Sequence, residues 1–241
     1  MQATPGHEGV TSSDPVALAL QAGLQWFSHG DFVQADQAFA QVLSLAPAHA
    51  DALHMRGLAQ YQLGHHGAAY TLLQQAALSL PADAAVHSNV GLVLRALGRF
   101  PEALAAYDTA LRLHAQFAQA WANRGNVLRD MGQHADAVRS YQQAVALQPG
   151  FAQAWHGMGL ALGDVRRWSD AVAAFERAIA LRKDYAVAYL DQGNALRELD
   201  RLDDTLHSYD AALASKPGYA QAWSNRGVVL KHMGRFQEAL H

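Results

Sequence analysis

Small and large apolar residues recur along this chain with a period of 34 residues. Glycine returns at Gly23, Gly57, Gly91, Gly125, Gly159, Gly193 and Gly227. A second column holds Ala35, Ala69, Ala103, Ala137 and Ala171, then Thr205 and Ala239. A third is bulky: Phe39, Leu73, Tyr107, Tyr141, Phe175 and Tyr209. A fourth is Pro47, Pro81, Pro149 and Pro217, with Ala115 and Lys183 as its two lapses. A fixed period of this length marks a stacked repeat, in which each unit has an apolar face that only its neighbours can bury.

Within a unit the apolar pattern is helical twice. Trp121, Gly125 and Leu128 fall at i, i+4, i+7 and predict one helix face as its core stripe. Gly132 then interrupts, and Ala137, Tyr141 and Ala144 repeat the spacing. Pro149 closes the second helix, because proline cannot continue a helix interior. Gly125 and Ala137 are small where two helices approach closely, and Tyr141 is expected to fill the space between one unit and the next. Each unit therefore predicts helix, short turn, helix, short turn. With each unit starting seven residues before its glycine, the array runs over 15–241. Its repeats are 16–49, 50–83, 84–117, 118–151, 152–185 and 186–219, with a partial seventh over 220–241. Residues 1–14 (MQATPGHEGVTSSD) are polar and read as a flexible tail.

The run WANRGNVL from Trp121 to Leu128, followed by Ala137, Tyr141, Ala144 and Pro149, resembles the tetratricopeptide repeat. The resemblance extends over about 16–241 and several positions hold phase through seven units. It implies an all-α fold, a right-handed superhelix of antiparallel helix pairs (an α-solenoid), with a concave groove lined by the first helix of each unit. One departure is the residue before the glycine, where the family often has leucine and this chain has Arg56, Arg124, Gln192 and Arg226. A long arginine stem packs while its head reaches water, so the fold is expected to stand.

Helical geometry picks out the stripe opposite the core. On the first helix of 118–151 it holds Gln119, Asn123, Asn126 and Asp130. The resemblance makes this stripe the groove lining, with Asn194 in the column of Asn126. Asn89, Asn123 and Asn225 share another column, with Asp191 among them. An amide both donates and accepts, so a ladder of amides is suited to an extended peptide backbone. In this the chain resembles the repeat region of the peptide O-linked N-acetylglucosamine transferases, whose asparagine ladder grips a protein substrate. A basic column follows: Arg95, Arg129, Arg197 and Lys231. It reads either as a solvated face of neighbouring opposite charges or as a groove edge favouring peptides of some acidic character.

Composition narrows the remaining classes. The net charge is −3 and 16% of residues are charged, which gives no electrostatic case for nucleic acid or an anionic membrane. There is no run of 18 apolar residues. With no cysteine there is neither a disulfide framework nor a thiolate site, and a reducing, cytoplasmic setting is expected. Thirteen histidines carry no HExxH or Cys/His spacing, so no metal is expected. Gly157, Gly159 and Gly163 resemble a phosphate loop only superficially, since Gly159 belongs to the repeat. No nucleophile stands with a base.

The expected function is a non-catalytic scaffold that binds an extended peptide or a partner's helix, without cofactor. The alternative is the substrate-recruiting region of a larger glycosyltransferase, suggested by an array that stops inside a repeat. A clamp for a peptide's terminal carboxylates is not expected, because the inner positions hold His54, Ser88, Ala122, His156, Leu190 and Ser224. The partial repeat predicts self-association through 220–241. Unit 152–185 is expected to be the flexible point: it has extra glycines, Arg166 in place of the turn glycine, and Lys183 in place of the proline.

Overall fold

A computed structural model of the chain describes residues 14–240. The stretch 1–13, read above as most of a flexible tail, lies outside the described residues. Among the described residues the regular structure is entirely helical, and it falls into two compact units that meet between Arg99 and Phe100. The first unit holds α1 (Pro15–Ser28), α2 (Phe32–Leu45), α3 (Ala50–Gln62), α4 (His66–Ser79) and α5 (Ala84–Ala96). The second holds α6 (Phe100–Leu113), α7 (Ala118–Asp130), α8 (His134–Leu147), α9 (Ala152–Asp164), α10 (Trp168–Leu181), α11 (Ala186–Glu198), α12 (Leu202–Ser215) and α13 (Ala220–His232). A short 3-10 turn, Glu238–Leu240, follows. Within each unit successive helices pack as antiparallel pairs, and each pair stacks on the next.

Helix starts are set differently in the two units. Asp14, Asp31 and Asp83 accept amide protons of their own first turns, at 2.7–3.2 Å, and relieve orphan donors there. Pro15 opens α1, where its missing N–H is no loss. In the second unit α7, α9, α11 and α13 are preceded by Phe117, Phe151, Tyr185 and Tyr219, none of which caps with its side chain. These rings pack instead; Tyr185 is buried.

The turn between paired helices requires a left-handed residue. Gly30, Gly64, Gly98, Gly132 and Gly234 supply it, with φ between 72° and 81°. At the same repeat position Arg166 and Asp200 are held at φ 59° and 57°, where a side chain is strained. The second turn behaves otherwise. Helix α10 stops at Leu181 in step with α8 at Leu147, although Lys183 stands where α8 is followed by Pro149. Backbone bonds close both turns, Phe151 N–H to Gln148 O at 3.0 Å and Tyr185 N–H to Arg182 O at 3.3 Å. The helix therefore does not run on where the proline lapses.

The core repeats one contact. In five pairs an aromatic or leucine side chain of the second helix closes on the glycine of the first. A Cβ added at Gly159 would stand 2.5 Å from the Phe175 ring, at Gly193 2.5 Å from Tyr209, and at Gly125 3.0 Å from Tyr141. Gly157 is equally constrained, with the Tyr141 ring at 2.6 Å. The extra glycine of α9 is thus a close-approach position. Tyr141, Phe175 and Tyr209 are almost fully buried, a burial that contributes roughly 1.5–3 kcal/mol for each ring of this size.

Two residues of the repeat do more than their spacing predicts. Trp121 packs against the core, but at its rim. The buried positions of α7 are Ala118, Ala120, Ala122, Gly125, Val127 and Leu128, while Trp121 stays half-exposed. Its indole N–H donates to Ala115 O at 2.9 Å, and Trp155 and Trp223 do the same to Pro149 O and Pro217 O. The indole therefore fastens one repeat to the last turn of the preceding one. The arginines before the glycine lay down their stems as expected, and carboxylates hold their heads near the surface. Arg56 pairs with Asp36 at 2.8 Å, Arg124 with Asp108 at 2.7 Å, and Arg226 with Asp210 at 2.7 Å. Each carboxylate lies on the preceding repeat's second helix and is reached by a stem laid across it, which spacing within one repeat cannot reveal.

Two substitutions at one repeat position separate these effects. At Gly227 an added Cβ meets nothing within 4 Å. Gly227→Ala should therefore stabilise, by up to about 1 kcal/mol of helix propensity. Gly159→Ala should destabilise by about 1–2 kcal/mol, because overpacking of roughly 1–3 kcal/mol exceeds that gain. Urea titrations followed by circular dichroism give both signs. In the same assay Arg166→Gly should raise stability by about 0.5–1 kcal/mol through relief of the left-handed strain.

Candidate functional site

The first helices of the second unit line two adjoining cavities that share Leu160. One, of about 330 Å³, lies along α7 and α9 and includes Gln119, Asn123, Asn126, Arg129, His156, Gly157 and Tyr185. The other, of about 450 Å³, lies along α9, α11 and α13 and includes Asp164, Trp168, Asp191, Asn194, Arg197, Glu198, Gln221 and Asn225. Seven of the sequence-predicted residues thus come together: Asn123, Asn126, Arg129, Asp191, Asn194, Arg197 and Asn225. Lys231 lines neither cavity and is exposed on α13. Asn89 and Arg95 belong to α5 in the first unit, both half-buried.

The polar groups of this face are already engaged with one another. Asn126 Oδ1 accepts from the Tyr141 hydroxyl at 2.6 Å and Asn194 Oδ1 from the Tyr209 hydroxyl at 2.9 Å. Asn225 Nδ2 also donates to Asn194 Oδ1, at 2.9 Å. Asn123 Oδ1 accepts from Gln119 at 3.1 Å. Each amide keeps spare capacity, since an amide offers two donor protons and two acceptor lone pairs. Burial raises the Tyr209 hydroxyl above its ordinary titration range, so it remains a donor.

The charged columns are joined in a staggered way. Arg129 reaches Asp164 on the next first helix at 3.2 Å, and His134 meets the same carboxylate at 3.1 Å. Arg197 lies 3.6 Å from Glu198 of its own helix. Sequence reasoning set the histidines aside, yet His156 is central here. Its Nε2 lies 2.8 Å from Asp191 Oδ2, and its Nδ1 3.3 Å from the Tyr185 hydroxyl. An imidazole protonated on Nε2 donates to the carboxylate and accepts from the phenol. Burial raises the Tyr185 hydroxyl, with nearby Arg182 opposing it, so the phenol stays protonated. In the first unit Asn89 Nδ2 meets His54 Nε2 at 2.7 Å by the same stagger. Both couples span 35 residues, one repeat plus one position. That spacing is the signal in the sequence that would have found them. Among the described residues no three of His, Asp and Glu gather as a metal set would. No described helix is long and apolar enough to cross a membrane.

Stacked helix pairs with a polar face along their first helices define an all-α repeat protein, an α-solenoid of the kind used to bind other proteins. The chain belongs to the tetratricopeptide repeat family: models of that repeat match 27–90, 82–149, 123–186, 156–204 and 190–240. No curated protein matches the chain. Among solved structures it is similar to PilW, described as a widely conserved type IV pilus biogenesis factor. The TM-score is 0.80 at 20% identity, over 88% of this chain and 99% of that one. It is similar to MamA, with a TM-score of 0.61 at 25% identity over 68% of this chain and 96% of that one. It is also similar to YrrB, a repeat protein described as having an unusual peptide-binding site. There the TM-score is 0.64 at 19% identity, over 80% of this chain and 99% of that one. These likenesses carry the fold.

His54 makes stability depend on pH in a definite direction. Desolvation lowers its pKa below 6.5, against smaller opposing effects of Asp83 and Asp51. A folded-state pKa below the unfolded one means that the unfolded chain binds the proton more readily. The contribution is present above pH 6.5 and is lost as pH falls through the folded value. Urea stability measured at pH 7.5 and at pH 5.5 should fall more for the parent than for His54→Gln.

Proposed function

We propose that the chain is a non-catalytic interaction scaffold whose first-helix face holds an extended peptide or a partner's helix, in a cytoplasmic setting and without cofactor. The observation that supports this most is the pair of adjoining cavities along α7, α9, α11 and α13, walled by amides that keep free donors and acceptors. Backbone recognition by such amides needs no particular side-chain sequence, while Leu160 and the rings of Trp168 and Tyr185 offer apolar contact between them. The test is a peptide selected from a random library on the purified chain. Asn123→Ala combined with Asn225→Ala should weaken it by about 0.5–1.5 kcal/mol per lost hydrogen bond, with helicity unchanged. A double variant that binds as tightly as the parent would sink the ladder reading.

The amide columns also favour a second reading, in which the array recruits protein substrates for a glycosyltransferase of the O-linked N-acetylglucosamine type. The reading frame downstream decides it: a glycosyltransferase domain supports it and a stop codon excludes it.

Self-association through α13 belongs to the same proposal. Trp223, Val228 and Phe236 are 44%, 56% and 61% exposed. Exposed apolar area of this kind seeks cover, and a second copy of α13 presents a matching face. Light scattering should show a concentration-dependent mass above that of one chain, which Phe236→Glu with Val228→Glu should abolish.

A further inference from the structure

Resting on the groove reading, we propose that the cavity between α9, α11 and α13 receives a guanidinium or ammonium side chain of the bound peptide. The argument begins with the staggered ion pair. Arg129 on α7 contacts Asp164 on α9 at 3.2 Å, one repeat plus one position later. Moving the couple along by one repeat places it at position 163 and Glu198. Position 163 is glycine, the one lapse in the basic column between Arg129 and Arg197. Glu198 therefore receives no cation from the preceding first helix, and its ion pair is with Arg197 of its own helix at 3.6 Å. Its side chain remains 46% exposed.

The place left by the missing side chain is open and shaped for a cation. Gly163 and Glu198 both line the cavity of about 450 Å³. The Trp168 ring lies 3.1 Å from where a Gly163 Cβ would stand, so an aromatic wall adjoins the vacated position. The ionisable groups lining the cavity are three carboxylates, Asp164, Asp191 and Glu198, against the single cation Arg197. Asp164 is shared with Arg129 and His134, and Asp191 with His156, which leaves Glu198 as the acceptor with room for another partner. A guanidinium in this position stacks on the indole and makes charge-assisted hydrogen bonds to the carboxylate. The basic column had suggested a preference for acidic peptides; where it lapses, the groove favours the opposite charge.

The test uses Nα-acetyl-arginine amide as probe, titrated into the isotope-labelled full chain while the Trp168 indole N–H resonance is followed. A saturable shift at Trp168 is expected, and the neutral isostere Nα-acetyl-citrulline amide should not produce it. Glu198→Gln should weaken the probe about threefold to tenfold. Gly163→Arg restores the staggered couple from within the chain and should abolish the response. Should that variant fail to fold against Trp168, Glu198→Gln alone carries the comparison. An equal response to the citrulline derivative, an unchanged affinity in Glu198→Gln, or a silent Trp168 resonance in the parent each overturns the proposal. None of these touches the groove reading, which falls only if the library selection returns no peptide.

Discussion

The contact between a bulky second-helix side chain and a first-helix glycine governs how closely the helices of a pair approach. Phe39, Tyr141, Phe175 and Tyr209 occupy the space that a Cβ would need at Gly23, Gly125, Gly159 and Gly193. Leu73 does the same at Gly57. A side chain packed on bare backbone gains dispersion contacts that a Cβ would exclude, and only glycine leaves room for that approach. Within each unit the repeated contact brings corresponding residue positions together between one repeat and the next. A period of 34 residues in sequence then becomes a repeating set of side-chain contacts.

The repeats are joined on their two faces by different chemistry. On one, indole N–H groups of Trp121, Trp155 and Trp223 reach the carbonyls that end the previous repeat. The neighbouring Arg124 and Arg226 reach carboxylates of the previous second helix. On the other, couples such as His156 with Asp191 and Arg129 with Asp164 cross between successive first helices. The second set matters for function. Its members are half-buried, mutually hydrogen-bonded and only partly saturated, so the face is ordered before a ligand arrives. Preordering of that kind reduces the side-chain entropy lost on binding.

The departures from the repeat mark where the array differs from a uniform one. Arg166 and Asp200 occupy a left-handed turn position that glycine fills elsewhere, and both are held there by the helices on either side. Gly163 removes a cation from an otherwise basic column and leaves space beside Trp168. A glycine thus means different things along the array, according to what stands opposite.

The sequence alone determined the period, the helix pairs, the first-helix residues of each column and the family. These follow from local spacing, since 3.6 residues per turn and a fixed repeat length need no knowledge of neighbours. It also placed Asn123, Asn126, Asn194 and Asn225, with Arg129 and Arg197, on the first-helix face that lines the two cavities, because one helix face is legible from its own residues. The tertiary structure decided what each of those residues touches. Trp121 packs on the core as its spacing predicts, but only the structure shows that its N–H also reaches the preceding repeat's carbonyl. His156 looked like one of many scattered histidines until stacking set it beside Asp191 and Tyr185. Only the stagger shows which cation Glu198 lacks. Such pairings depend on how far one repeat slides past the next, and that offset arises from side-chain packing between repeats, which local periodicity does not encode.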